Sequence, residues 1–144
     1  PQPGTAQRLL ANGSPTRRAA TVAATNAVRV ARPPAIDGKD SDDAWRDAPH
    51  IDGFRVFDPV EDGDPSMRTD ARVAYDDRYL YVFVRAFDPH PYSIMSLLSR
   101  RDMRTQSDYL RVIIDSYHDK RTGYQFMVNP AGVQIDVYHF NDIQ

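Results

Sequence analysis

The residues best suited to hold a ligand in this 144-residue chain lie on one alternating stretch: Tyr81, Phe83, Arg85 and Phe87. In an extended strand, side chains two apart share a face, so three aromatic rings and a guanidinium line up. Sugar rings present apolar C–H faces that lie against aromatic planes, and an Arg fork can bond hydroxyls. The competing reading of the same face is packing, beneath a loop or a second sheet. Other chemistry is less well supplied. Acid–base catalysis needs two carboxylates facing one another across a cleft. With 19 Asp and one Glu (Glu61) in the chain, close pairs are unavoidable and carry no information. His50, His90, His118 and His139 show no His-x-x-x-His spacing, and no Gly-x-Ser-x-Gly elbow occurs. The chain is therefore expected not to be an enzyme. Calcium takes six to eight oxygens, commonly from Asp carboxylates and loop carbonyls. The Asp-rich loops 58–64 and 102–108 could supply them, although Asp58, Asp62 and Asp64 do not fit an EF-hand register. The metal, if any, is left open.

The elements that must position these residues are strands. In Asp70–Tyr75, Ala71, Val73 and Tyr75 alternate with Asp70, Arg72 and Ala74, the period of a half-buried strand. Asp76-Asp77-Arg78 reads as a turn, because Asp bonds its own backbone. The next strand, about 79–87, carries Leu80, Val82, Val84 and Ala86 on the face opposite the aromatic one, and Asp88-Pro89-His90-Pro91 stops it. Ile94, Leu97 and Leu98 fit a short helix face or a strand. A three-strand meander follows: Leu110, Val112 and Ile114; then Tyr124, Phe126 and Val128; then, after the turn Asn129-Pro130-Ala131-Gly132, Val133, Ile135 and Val137 completing the set. Short alternating strands with frequent turn signals predict an all-β sandwich or barrel. The single tryptophan, Trp45, sits in a short acidic stretch with Ser41 as a candidate N-cap and Pro49 as a stop. One helical turn is not stable alone, so Trp45 is read as a peg that docks the turn on a sheet rather than as a platform for sugar.

Composition limits the partners. Residues 1–27 are mostly Ala, Thr, Pro, Gly and Arg with little to bury, and are read as an extended or disordered arm preceding a binding domain at 28–144. Residues 1–36 carry +5 and the remainder a net −7. The acidic body repels phosphate, which disfavours nucleic acid, while the basic arm could meet an acidic or membrane-protein partner. There is no cysteine, hence no disulfide scaffold, thiolate zinc site or Cys nucleophile. No stretch is long enough to span a bilayer. The chain opens with Pro rather than Met, which suggests processing. Asn12-Gly13-Ser14 matches a glycosylation acceptor and is read as incidental.

The stretch IDGKDSDDAWRDAP resembles the opening signature of family-nine carbohydrate-binding modules and their relatives, through Ile36-Asp37-Gly38, Asp43, Trp45 and Ala48-Pro49. The closer likeness is to a bacterial group in which such a domain precedes an outer-membrane-type β-barrel. It rests on Tyr75-Asp76-Asp77, Arg100-Arg101-Asp102, Ser107-Asp108, Asp115, Asp119, Arg121-Thr122-Gly123-Tyr124 and Asn129-Pro130-Ala131-Gly132, and covers most of residues 30–142. The resemblance implies a jelly-roll-like antiparallel β-sandwich, exported to the periplasm or cell surface, non-catalytic, in a clan that binds sugars or sometimes haem. For haem, Met127 or a histidine would be the axial ligand. Sugar-binding members clamp their ligand with tryptophans, whereas here Trp45 stands alone. Relatives continue with several more strands past the region where this chain stops. The sandwich is therefore expected to lack its last strands and to offer an unpaired sheet edge to a protein partner. That defines the alternative function, an accessory subunit of a larger membrane-associated complex.

Overall fold

The structure, a computed structural model, describes residues 24–141. Most of the expected arm, residues 1–23, lies outside the described residues, and 24–27 take no regular structure. The chain is all-β, as expected. Among the described residues the strands form two three-stranded sheets, consistent with a β-sandwich, and the one α-helix has four residues. It divides into two compact units, one ending at Phe87 and the other beginning at Asp88.

In the amino-terminal unit the strands are β1 (Val28–Arg29), β2 (Thr69–Tyr75) and β3 (Leu80–Ala86), in the order β1-β2-β3. β1 runs parallel to β2, and β2 and β3 form an antiparallel hairpin. The hairpin turn is made by Asp76, whose Oδ1 accepts the amides of Arg78 (2.7 Å) and Tyr79 (2.8 Å). Helix α1 (Asp43–Arg46) is the single turn anticipated around Trp45. Its N-cap is Asp42 rather than Ser41, and the Asp42 side chain does not cap it, because Oδ2 accepts the Ala35 amide at 2.9 Å. Trp45 is buried with Ala48, Ala74, Tyr81 and Phe83, and Val28 and Val30 pack against the cluster. The peg reading of Trp45 holds. The alternation of β2 is correct, but the structure buries its more polar side as well. Ala74 and Asp70 are both buried, because α1 docks over Ala74 and because neighbouring side chains satisfy Asp70.

Tyr81 ties this core to the turn by donating its hydroxyl to Asp76 Oδ2 at 2.7 Å. Burial, and then the bond to Asp76, push the Tyr81 phenol up to about 12. The Tyr81 hydroxyl and the turn amides hold the Asp76 carboxyl below the usual carboxylate range. The two shifts act at opposite ends of the pH scale. The raised phenol contributes stability that is fully present below the ordinary tyrosine value of about 10 and is lost as pH rises toward about 12. The lowered carboxyl contributes stability that is lost as pH falls through its depressed value. Tyr81→Phe should remove the alkaline loss and move the Asp76 titration upward in carbon-detected NMR. An Asp76 titration identical in the variant would refute the coupling.

In the carboxy-terminal unit a 3-10 turn (Pro91–Ser93) precedes an irregular segment, so the helix or strand anticipated near Ile94–Leu98 does not form. The meander is present as β4 (Leu110–Ile114), β5 (Thr122–Val128) and β6 (Gln134–Phe140), all antiparallel. Leu110, Val112 and Ile114 pair with Val128, Phe126 and Tyr124, as the shared face requires. The third set differs. Ile135 pairs with Met127 and Val137 with Gln125, so they line the opposite face. The residues facing Tyr124 and Phe126 are Tyr138 and Asp136. The tight turn leaves Val128 opposite Gln134, and this register decides the face; Gly132 closes the turn with φ +80° and an amide bond to Asn129 O at 2.9 Å.

Candidate functional site

The β2–β3 register builds the candidate site in rungs. Asp70 pairs with Arg85, Arg72 with Phe83, and Ala74 with Tyr81. The Phe87 amide donates to Arg68 O at 2.9 Å, which adds one more rung beyond the strand ends. By strand alternation these eight residues share one face. It is a ladder in which guanidinium and ring alternate. Arg68 lies over the Phe87 ring at 5.0 Å and Arg85 over the Phe83 ring at 5.5 Å, both within cation–π range.

Loops add the remaining groups. Ile51 exchanges both backbone hydrogen bonds with Ala71 (2.8 and 2.9 Å), which lays His50 beside β2. His50 Nδ1 then meets Asp70 Oδ1 at 2.8 Å. Asp40 bridges two cations, accepting from Arg72 at 3.4 Å and Arg85 at 3.1 Å. Arg72 also donates to the Trp45 carbonyl at 3.2 Å, so the same guanidinium fastens α1 to the sheet. Asp70 tolerates burial because His50 Nδ1 meets Oδ1 at 2.8 Å on one side and the Arg72 guanidinium lies at 3.8 Å on the other. Arg68 has no ion-pair partner among the described residues.

The ladder is closed at one end and open at the other. Of the four site residues expected from the sequence, Tyr81 and Phe83 keep only 9% and 8% of their surface and belong to the Trp45 core. Their planes are occupied by protein, which is the packing alternative. Phe87 keeps 40% of its surface and the Arg85 side chain 42%. These two, with exposed Arg68 and half-exposed His50, form the accessible end. Sequence reasoning missed Arg68, although the alternation Arg68-Asp70-Arg72 extends back to it. Asp40 and His50 arrive on loops, and no periodicity marks them. The open end offers guanidinium donors, an imidazole and an aromatic surface, which is chemistry for recognition.

The calcium expectation finds no support in the loops that prompted it. Asp62 and Asp64 both pair with Arg55. Asp102 accepts the Asp136 amide (3.1 Å), and Asp108 accepts the Met95 amide (3.0 Å). These carboxylates are committed to a guanidinium and to backbone, and among the described residues no three His, Cys, Asp or Glu converge to hold a metal. Met127, the haem-ligand candidate, is buried with its sulfur accepting from Gln125 Nε2 at 3.0 Å. No described helix is long and apolar enough to cross a membrane.

The family described as carbohydrate family 9 binding domain-like matches residues 36–137. The match begins on the Ile36-Asp37-Gly38 turn, where Gly38 takes φ +77° and Asp37 Oδ1 accepts the Lys39 amide at 2.9 Å. It spans α1, the ladder and most of the carboxy-terminal sheet. No curated protein and no solved structure matches the chain.

Proposed function

We propose that this chain, which belongs to the carbohydrate family 9 binding domain-like family, is a non-catalytic module of an exported bacterial protein that holds carbohydrate at the open end of the β2–β3 ladder. The observation that carries the reading is the pairing of accessible Phe87 and Arg85 on one face, with Arg68 over the Phe87 ring. The ring supplies an apolar surface for sugar C–H groups. The two guanidinium groups supply donors to hydroxyls. Asp40 and Asp70 hold Arg85 and its neighbours in place before a ligand arrives, which lowers the ordering cost of binding.

The test uses the accessible pair, since replacing Tyr81 or Phe83 would disturb the core. On a glycan array, followed by calorimetry on the glycans retained, Arg85→Ala and Phe87→Ala should each weaken binding about tenfold or more, a loss of about 1.4 kcal/mol, with unchanged circular dichroism. Binding unaffected by both substitutions would place the ligand elsewhere. The second reading, a subunit that binds protein and meets a membrane partner through its basic arm, is favoured by the outer edges of β3 and β4. Neither edge has a further strand in its own sheet among the described residues. It replaces the first if no glycan class binds and crosslinks to a partner protein map to β3 or β4.

A further inference from the structure

The carboxy-terminal unit carries a separate cavity on the face of β4–β6 that bears Met127 and Ile135. Its floor is Gly123, which pairs with His139 across to β6. A Cβ at Gly123 would stand 3.2 Å from Ile114 O and 3.8 Å from Ile113 Cγ2. The chain is thus tightly packed at Gly123, and beside it lies a cavity of about 290 Å³ lined by Ile113, Gly123, His139, Asp115, Lys120 and Arg121. Ligand pockets start at about 300 Å³, so this one suits a single ring.

The rim is held rigidly. Asp115 accepts the amides of Asp119 (3.2 Å) and Lys120 (2.9 Å). Asp119 accepts the amides of Arg121 and Thr122 and the Thr122 hydroxyl, each at 2.8 Å. Lys120 is locked at φ +57°. Both acids are thus turned toward the loop's own donors. The Lys120 and Arg121 side chains are exposed and make no hydrogen bond or ion pair among the described residues, although the Arg121 charge helps hold the Asp119 carboxyl below its ordinary value. On the wall, His139 Nε2 meets Gln125 Oε1 at 3.2 Å. The Gln125 amide nitrogen meets Met127 sulfur at 3.0 Å. With Nε2 engaged by Gln125, the second ring nitrogen of His139 is left for a ligand hydroxyl.

We propose that this cavity binds one carboxylate-bearing sugar residue, a hexuronate. Lys120 and Arg121 take the carboxylate, Ile113 and the Gly123 backbone take the C–H face of the ring, and the second ring nitrogen of His139 bonds a hydroxyl. The proposal deepens the carbohydrate reading and rests on it for ligand class, while using none of the ladder residues.

The test is an amide and imidazole NMR titration of the full chain with methyl glucuronide, methyl glucoside and acetate. The glucuronide should shift Gly123, Lys120 and His139 signals and bind at least about tenfold more tightly than the other two probes. Lys120→Asn with Arg121→Gln should remove that preference; Asn tolerates the left-handed backbone, and both positions are exposed. The double variant should leave any glycan binding at Phe87 intact. Equal binding of the glucoside, equal binding of acetate, or no shift at Gly123 and His139 would each overturn the proposal. Signals at Phe87 and Arg85 report the ladder site separately, so either site can fail alone.

Discussion

Replacing Trp45 by alanine is expected to destabilise the amino-terminal unit by about 3–5 kcal/mol, a large share of the stability of a small domain. Trp45 keeps 3% of its surface, and its ring centroid lies 5.6 Å from that of Phe83 at 47°. A four-residue helix cannot persist without a tertiary anchor, so removing the indole releases α1 as well as opening a cavity. The indole nitrogen adds a discriminating detail. It is buried without a hydrogen-bond partner, so it already costs the fold some desolvation. Trp45→Phe keeps most of the ring and removes that orphan donor, and should cost well under half as much as Trp45→Ala. Urea unfolding followed by far-ultraviolet circular dichroism measures both. A loss below about 1 kcal/mol for Trp45→Ala, the size of an ordinary substitution, would mean that the indole is not the anchor.

The strands were legible because alternation is a local property. Tyr81, Phe83, Arg85 and Phe87 do share a face, and the hairpin turn falls on Asp76, whose carboxylate makes it. Which face is covered, and by what, depends on contacts distant in sequence. Asp70 and Ala74 gave no local sign of burial, because the groups that cover and satisfy them from a distance come from α1 and His50. The face of Val133, Ile135 and Val137 could not be read from spacing within each strand. A tight turn fixes register between strands, and a shift of one residue exchanges the faces.

The same limit applied to the candidate site. Residue type picked out Arg85 and Phe87, which are accessible, together with Tyr81 and Phe83, which are buried. An aromatic strand face gives the same pattern whether its rings stack on a sugar or on a tryptophan. The discriminating residue was Trp45, some forty positions away from the strand it packs on. Its reading as a peg placed it on a sheet without saying on which residue, and Phe83 is an aromatic partner it meets there.

Asn129 should be the most sensitive polar position of the carboxy-terminal unit. The side chain is buried and makes three bonds: Oδ1 accepts the Val133 amide (2.9 Å), and Nδ2 donates to the Leu97 carbonyl (2.8 Å) and to Ser107 Oγ (3.3 Å). The backbone of Asn129 pairs with Val133 and Gly132 as well, closing the β5–β6 turn. One residue thus joins that turn to the irregular segment before β4. Asn129→Ala strips partners from the Val133 amide and the Leu97 carbonyl together. At about 1–3 kcal/mol for the buried Val133 amide and about 1 kcal/mol for the part-buried Leu97 carbonyl, the expected cost is about 2–4 kcal/mol. Asn129→Asp separates the two halves of the role. It keeps an acceptor for Val133 and loses the donor to Leu97, so amide exchange at Val133 should stay slow while the Leu97–Ser107 segment loosens. In Asn129→Ala both should exchange faster. Unchanged protection of Val133 in Asn129→Ala would show that the turn closes through its backbone bonds alone, and the side chain would lose its place as the joint between the two segments.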